Sequence, residues 1–320
     1  MIESKILDGK LVSKTLETAV RNRVYGFEDA YGDEVTLATI IVGNDKASKT
    51  YVNMKSKACR RVGIHTREYV LPEFTTEGLI NLIEVLNEDP SVNGILIQHP
   101  LPKNIDEKKC FDKIALEKDV DGLSSHSFGK MAFGEEAFGA ATPTGIMHIL
   151  DFYHIDVSGK KACVVGRSPI LGKPMAAMLL NRNATVTICH TKTQNLEDEV
   201  KCADIVIGAV GKPELIKKDW LKEGAVVIDA GYNYINGKPV GDIENPTGVA
   251  SLYTPVPGGV GPVTIATLLT NTITAAEKQK HLEKNKNYYG KQYVIVWKVL
   301  WKTNTNKKIY QFNDRIALWK

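Results

Sequence analysis

The apolar positions alternate twice between helical and strand periods. Residues 10–30 carry them at helical spacing and predict an amphipathic helix. "VTLATIIVG" (35–43) is continuously apolar, β-branched and stopped by glycine, which predicts a buried strand. "SKTYVNMKSKACRRVG" (48–63) predicts a helix ending at Gly63, and "HTREYVL" (65–71) a second strand. "TTEGLINLIEVLNED" (75–89) predicts a helix capped by Thr75 or Thr76, and "VNGILIQHP" (92–100) a third strand. A β-α-β-α-β order implies a parallel sheet.

The alternation then starts again. "TPTGIMHILDFY" (142–153) begins as a helix with proline in its first turn and is expected to bridge two domains. Four strands are predicted at 160–166, 184–190, 203–211 and 225–233, with helices at 172–182 and 194–201 between the first three. This is a second α/β unit of Rossmann type. A last helix is predicted at 264–278. The expected division is a domain at 1–141, completed by helix 264–278, and a second at 142–263, with a cleft between them.

From residue 279 the texture changes to Lys, Asn, Tyr and Ile, and three of the four tryptophans lie there. Charge divides at almost the same place. Residues 277–320 hold 11 Lys/Arg and 3 Asp/Glu, a net of +8 within a chain of net +4. The remainder holds 30 of the 41 basic and 34 of the 37 acidic residues, and is therefore mildly acidic. A nucleic-acid partner for the body has no electrostatic support. The stretch 279–320 is read as an atypical basic tail. Its texture fits either translation of AT-rich sequence past a shifted frame or an aromatic appendage for a membrane surface or partner.

The start of the chain is charged and amphipathic, with no apolar core of a signal peptide, and no apolar run reaches the roughly 20 residues of a membrane span. Five scattered cysteines without a C-x-x-C pair read as reduced core thiols, and the location expected is the cytoplasm. The seven histidines show no metal spacing, so no metal site is expected.

Chemistry enters with "VVGRSPILGKP" (164–174). A strand turning through glycine into a helix sets backbone N–H groups and the helix dipole where a pyrophosphate can sit. In NAD-binding units an acidic residue ends the second strand and bonds the ribose 2′-hydroxyl. Here that strand ends in His190, Thr191 and Lys192, without a carboxylate, and Arg167 follows Gly166. A guanidinium fork suits a 2′-phosphate, so the loop reads as an NADP site.

Tyr51 and Lys55 stand four apart on one predicted helix and share a face. Short-chain dehydrogenases also use a Y-x-x-x-K pair, but there it follows the glycine loop, whereas here it precedes Gly166 by more than a hundred residues. That order places the pair in the other domain. Gln98 alone could be an amide capping a strand end, and Asp119 and Asp121 turn residues before Gly122.

Taken in order, "YVNMKSKA", "GILIQHPLP", "KDVDGL", "TPTG", "VVGRSPILGKPM" and "TPVPGGVGPVTIATLL" closely resemble the bifunctional methylenetetrahydrofolate dehydrogenase/methenyltetrahydrofolate cyclohydrolase family over about residues 1–276. The resemblance implies NADP-dependent oxidation of 5,10-methylenetetrahydrofolate and hydrolysis of the methenyl product to 10-formyltetrahydrofolate. It implies Lys55 as the catalytic lysine, Tyr51 as its partner on the folate, Gln98 tuning the lysine and Asp121 binding the pterin. Gly166, Arg167, Ser168, Thr191 and Tyr232 would hold NADP. The "PVPGGVGP" loop, with Pro257, Gly258 and Gly259, would line the folate cleft. A homodimer is implied. Family members end soon after the helix at 264–278, so the tail departs from the pattern. A dehydrogenase without cyclohydrolase activity and a non-catalytic folate-binding protein are the alternatives.

Overall fold

Short polar side chains set where the first five helices begin. The computed structural model describes residues 2–303, excepting the side chains of 46, 47, 49 and 282–303. β1 (Lys5–Ile6) leads to Asp8, whose carboxylate accepts from the backbone of Lys10 at 2.8 Å and opens α1 (Gly9–Tyr31). β2 (Thr36–Val42), α2 (Lys46–Val62), β3 (His65–Leu71), α3 (Thr76–Glu88) and β4 (Gly94–Ile97) follow, within a few residues of the expected bounds. Gly63 ends α2 in the left-handed region, and the Thr75 hydroxyl accepts from Gly78 N at 3.1 Å.

Two short helices, α4 (Glu107–Lys113) and α5 (Ser125–Ala132), stand before α6 (Ala141–Phe152). Then come β5 (Lys161–Val165), α7 (Gly172–Asn181), β6 (Thr185–Cys189), α8 (Leu196–Lys201), β7 (Ile205–Gly208) and β8 (Val226–Asp229). β9 (Asn233–Ile235) and β10 (Lys238–Val240) form a hairpin, and β11 (Leu252–Tyr253) precedes α9 (Val260–Thr303).

Two parallel sheets result, as the alternation predicts. The smaller has order β3-β2-β4, with β2 buried along its whole length. The larger has order β1-β11-β8-β7-β5-β6. Its first strand is β1, so Lys5 and Ile6 pair with Leu252 and Tyr253 in the second sheet and not in the first. The chain reverses its winding direction between β5 and β7, and crevices for ligands open at the carboxyl ends of strands at such a point.

Residues Met1–Glu277 form one compact unit and Lys278–Lys320 another. Within the first, α1 and α9 straddle both sheets. Val12, Val260 and Val263 pack into the core of the larger sheet, while Val20, Val24, Phe27, Leu268 and Leu269 pack into that of the smaller. Each such fully buried side chain contributes roughly 1.5–3 kcal/mol. The two lobes are therefore joined by helices that would each lose core contacts on both sides if the lobes separated. Arg23 on α1 adds a two-pronged pair to Glu277 on α9, at 3.1 and 2.6 Å.

α9 continues past the expected end at 278 to Thr303. The change of composition there is not a helix stop, since no proline follows and Lys, Glu, Gln and Leu all favour helix. The tail residues from 304 lie outside the described residues, as do the side chains on which its two readings depend. Among the described residues, no helix is long and apolar enough to cross a membrane. Four cysteines are buried as expected, but Cys202 is exposed.

Candidate active site

α2 presents Tyr51 and Lys55 on one face, one turn apart. Lys55 is buried, and its Nζ donates to Gln98 Oε1 at 3.1 Å. Gln98 stands just beyond β4, where its N–H extends the ladder to Ile40 O at 2.9 Å. Its own amide Nε2 donates to His99 O at 2.7 Å. That bond turns Oε1 toward the lysine, so the amide can act only as acceptor there. His99 is held in turn by Glu107, whose Oε2 lies 2.7 Å from His99 Nδ1 and accepts from Leu101 N at 2.9 Å. Sequence reasoning did not single out Glu107, whose role depends on α4 lying beside the strand end.

Asp121 approaches from the loop before α5. It is half-buried, and no described residue donates a hydrogen bond to its carboxylate. Asp119, expected as a turn residue, is fully buried and accepts from Leu123 N, Ser124 N and the Ser127 hydroxyl, at 3.2, 3.0 and 2.6 Å. Asp119 thus fixes the loop, and the Asp121 carboxylate takes no part in doing so.

Burial governs the charges. It pushes the Lys55 amine below its usual value, against the pull of Asp121 and the weaker pull of Cys59. It pushes the Asp121 carboxyl up, opposed by Lys55 and reinforced by Asp119. Tyr51, raised by burial and by the nearby Tyr234 phenol, stays a neutral hydroxyl. Burial thus disfavours the charged forms of Lys55 and Asp121 alike, while each group's charge favours the other's.

The glycine loop lies at the carboxyl end of β5. Gly166 has φ 134°, and a Cβ there would stand 2.1 Å from Ala209 O, at the end of β7. A Cβ on Gly172 would stand 2.1 Å from Gly166 O. Both glycines are required by close approach of backbone to backbone. The Ser168 hydroxyl accepts from Leu171 N at 3.2 Å and turns the chain into α7. Arg167 is exposed and makes no hydrogen bond or ion pair with the described residues. After β6 the turn is closed by bonds from His190 N to the Thr193 hydroxyl at 2.8 Å and from Lys192 N to His190 Nδ1 at 3.1 Å, leaving Thr191 exposed. The cradle fits NADP: a loop too tight for side chains, a helix start, no carboxylate after β6 and an unpaired arginine.

A buried carboxylate pair organises the neighbouring strand ends. Asp229, closing β8, accepts from Gly231 N, Asp242 N and Ile243 N, each at 2.9 Å. Burial lifts its carboxyl to about 6 despite these bonds. Asp242 accepts from Val210, Gly211 and Lys212 N, and from the Asn233 amide at 2.8 Å. The loop after β7 and the β9–β10 hairpin are thereby fixed beside the glycine loop. Tyr232 enters that hairpin exposed.

The "PVPGGVGP" loop joins β11 to α9. A Cβ on Gly259 would meet Pro255 O at 2.6 Å, and Gly9 at the start of α1 approaches Gly259 closely enough that its own Cβ would stand 1.8 Å from the carbonyl. Pro257 is exposed and Gly258 half-buried. The loop therefore abuts the start of one of the two straddling helices. Among the described residues no cluster of His, Cys, Asp or Glu could hold a metal ion.

Comparison with known proteins agrees with this geometry. Residues 7–121 match the tetrahydrofolate dehydrogenase/cyclohydrolase catalytic domain, and residues 140–280 match the NAD(P)-binding domain of the same family. The bifunctional protein FolD of Acidobacterium capsulatum is 57% identical over 277 residues, covering 85% of this chain and 97% of the relative. The crystal structure of the bifunctional FolD dehydrogenase/cyclohydrolase of Campylobacter jejuni superposes with a TM-score of 0.85 at 42% identity, over 86% of this chain and 99% of that one. The Trypanosoma brucei dehydrogenase-cyclohydrolase, solved with NADP and an inhibitor, gives a TM-score of 0.82 at 36% identity, over 87% and 99%. With both domain models matched in order and nearly the whole of these relatives spanned, the chain belongs to the tetrahydrofolate dehydrogenase/cyclohydrolase family.

Proposed function

We propose that one cleft, lined by Tyr51, Lys55, Gln98 and Asp121 on the first lobe and by the glycine loop on the second, carries both activities of a bifunctional enzyme. The reactions are oxidation of 5,10-methylenetetrahydrofolate to the 5,10-methenyl cation and hydrolysis of that cation to 10-formyltetrahydrofolate. The observation that carries this reading is the buried Lys55 amine fixed by Gln98 at 3.1 Å. Bound NADP+ supplies the acceptor for the hydride that leaves the methylene carbon.

The protein's own groups do the rest. Gly166 and Ser168 admit the pyrophosphate, Arg167 and Thr191 face the 2′-phosphate, and Tyr232 meets the cofactor through its backbone. Asp121 accepts from N–H donors of the pterin, and Tyr51 donates its phenol beside the reacting ring. Pro257, Gly258 and Gly259 wall the folate side. A positive charge develops on the substrate during oxidation, and burial, by lowering the pKa of Lys55, reduces the opposition from the amine. Water then adds to the methenyl carbon and gives a proton to Lys55. The bond from that carbon to N5 breaks as N5 gains a proton and the added hydroxyl loses one. One proton is released overall. The same reading makes the active protein a cytoplasmic homodimer.

A single assay following absorbance of NADPH and of the methenyl compound tests the assignment. NADPH should accumulate while the methenyl signal rises and then decays. Persistent methenyl compound would mean a dehydrogenase alone, and absence of both signals a binding protein.

All the named groups lie within the compact unit ending at Glu277. A chain stopped after Glu277 should keep both activities within about two-fold and its cooperative thermal transition. Circular dichroism and the same assay measure this. Loss of either would make residues 278–320 a structural part of the enzyme.

A further inference from the structure

The hairpin after β8 carries two aromatic rings that the reactions above do not use. Asn236 and Gly237, both at positive φ (50° and 75°), make the two-residue turn that twists β9 and β10 together. The Asn233 amide ties the hairpin to Asp242, itself bonded to Asp229 at the sheet end. The hairpin is thus a fixed projection from the second lobe. Tyr232 and Tyr234 are two apart, so they share one face of it. Their rings meet edge to face, with centroids 5.6 Å apart and planes at 88°. Both stay largely in solvent, Tyr232 at 51% and Tyr234 at 63% exposure. Tyr51, on the first lobe, lies within electrostatic reach of both phenols. The hairpin is anchored through Asp242 at the ends of β7 and β8, beside the glycine loop, and Tyr51 is the proposed partner of the catalytic lysine.

Exposed aromatic faces held by a rigid hairpin suit a flat, aromatic ligand, at little cost in side-chain ordering. The folate substrate offers an aromatic ring outside the reacting pterin. We propose that Tyr234 is a positioning residue for the substrate, its ring packing against the aromatic part of the folate opposite Tyr51, with Tyr232 bracing it edge-on. This rests on the assignment of the folate to the cleft between the lobes. It gives the hairpin a substrate role distinct from the backbone contact of Tyr232 with the cofactor.

Steady-state dehydrogenase kinetics of Tyr234→Ala and Tyr234→Phe test it. In Tyr234→Ala the KM for 5,10-methylenetetrahydrofolate should rise about three- to ten-fold, the size of one aromatic contact. The KM for NADP+ and kcat should change less than about two-fold. Tyr234→Phe keeps the ring and should stay within about two-fold of wild type on every constant. Thermal stability should not move, since the side chain is exposed and outside any core. An unchanged folate KM in Tyr234→Ala would overturn the proposal. So would a rise confined to the NADP+ KM, which would make the ring a cofactor contact. Wild-type protein without saturable folate turnover would instead overturn the cleft assignment itself.

Discussion

Lys55→Met should abolish hydrolysis of the methenyl compound, lowering the rate by at least about a hundred-fold, while the protein stays folded. General acid–base catalysis is worth roughly 10²–10⁴ in rate, and Lys55 is the buried amine proposed to move the protons. Methionine keeps an unbranched chain of similar volume, so packing on α2 survives. The amine is already disfavoured as a cation by burial, and only Gln98 Oε1 loses a donor. That single loss costs about 1–3 kcal/mol at most. Hydrolysis is measured by decay of methenyl absorbance, and folding by circular dichroism and thermal midpoint. Near wild-type hydrolysis in a folded variant would remove Lys55 from the proton chemistry. Gln98→Ala offers a comparison: the lysine remains but its orienting acceptor is gone, so the rate should fall less steeply.

The shared helical face of Tyr51 and Lys55 was legible in the sequence because it is local, whereas the role of the lysine came from the family resemblance. Tyr51 and Lys55 sit one helical turn apart, and the pattern of 48–63 with Gly63 as its stop fixes both helix and face. The same holds for the buried strand 36–42 and for the Thr75 cap. What the pattern could not reveal is pairing between distant segments. β1 is two residues long and exists only because Leu252 and Tyr253 lie beside it. Glu107 matters because α4 carries it to His99, and no periodicity encodes that meeting.

The hairpin was a different failure. Its Asn236-Gly237 pair between Tyr-Ile and Lys-Pro-Val is a strong local turn signal. Reading the strand at 225–233 as the end of the unit passed over it. The helix expected at 264–278 runs on to Thr303 because the change in composition at 279 carries no helix stop. The split of Asp119 from Asp121 was only partly legible. Both could serve a turn, and burial with three donors separates the one that does from the one that does not.

Arg167→Ala should discriminate between cofactors. Its side chain is exposed and unpaired among the described residues, so removing it disturbs no internal bond. The fold and the glycine loop should be intact, because the loop's shape is set by Gly166 against Ala209, Gly172 against Gly166 and the Ser168 hydroxyl. What is lost is the guanidinium proposed to face the 2′-phosphate, the only part of NADP that NAD lacks. A charge-assisted hydrogen bond is worth roughly 1.5–3 kcal/mol, or about a 10- to 150-fold change in affinity. The KM for NADP+ should rise by about that factor, and the KM for NAD+ should change less than about two-fold. Arg167→Lys should recover part of the loss, because a point charge attracts the phosphate without the planar fork. Raising the salt concentration should weaken NADP+ binding more in wild type than in Arg167→Ala, since screening acts on an exposed ion pair that the variant no longer forms. Equal losses for both cofactors would assign Arg167 to the shape of the loop. The 2′-phosphate would then fall to Thr191, Lys192 and His190, the exposed turn that follows β6 in place of a carboxylate.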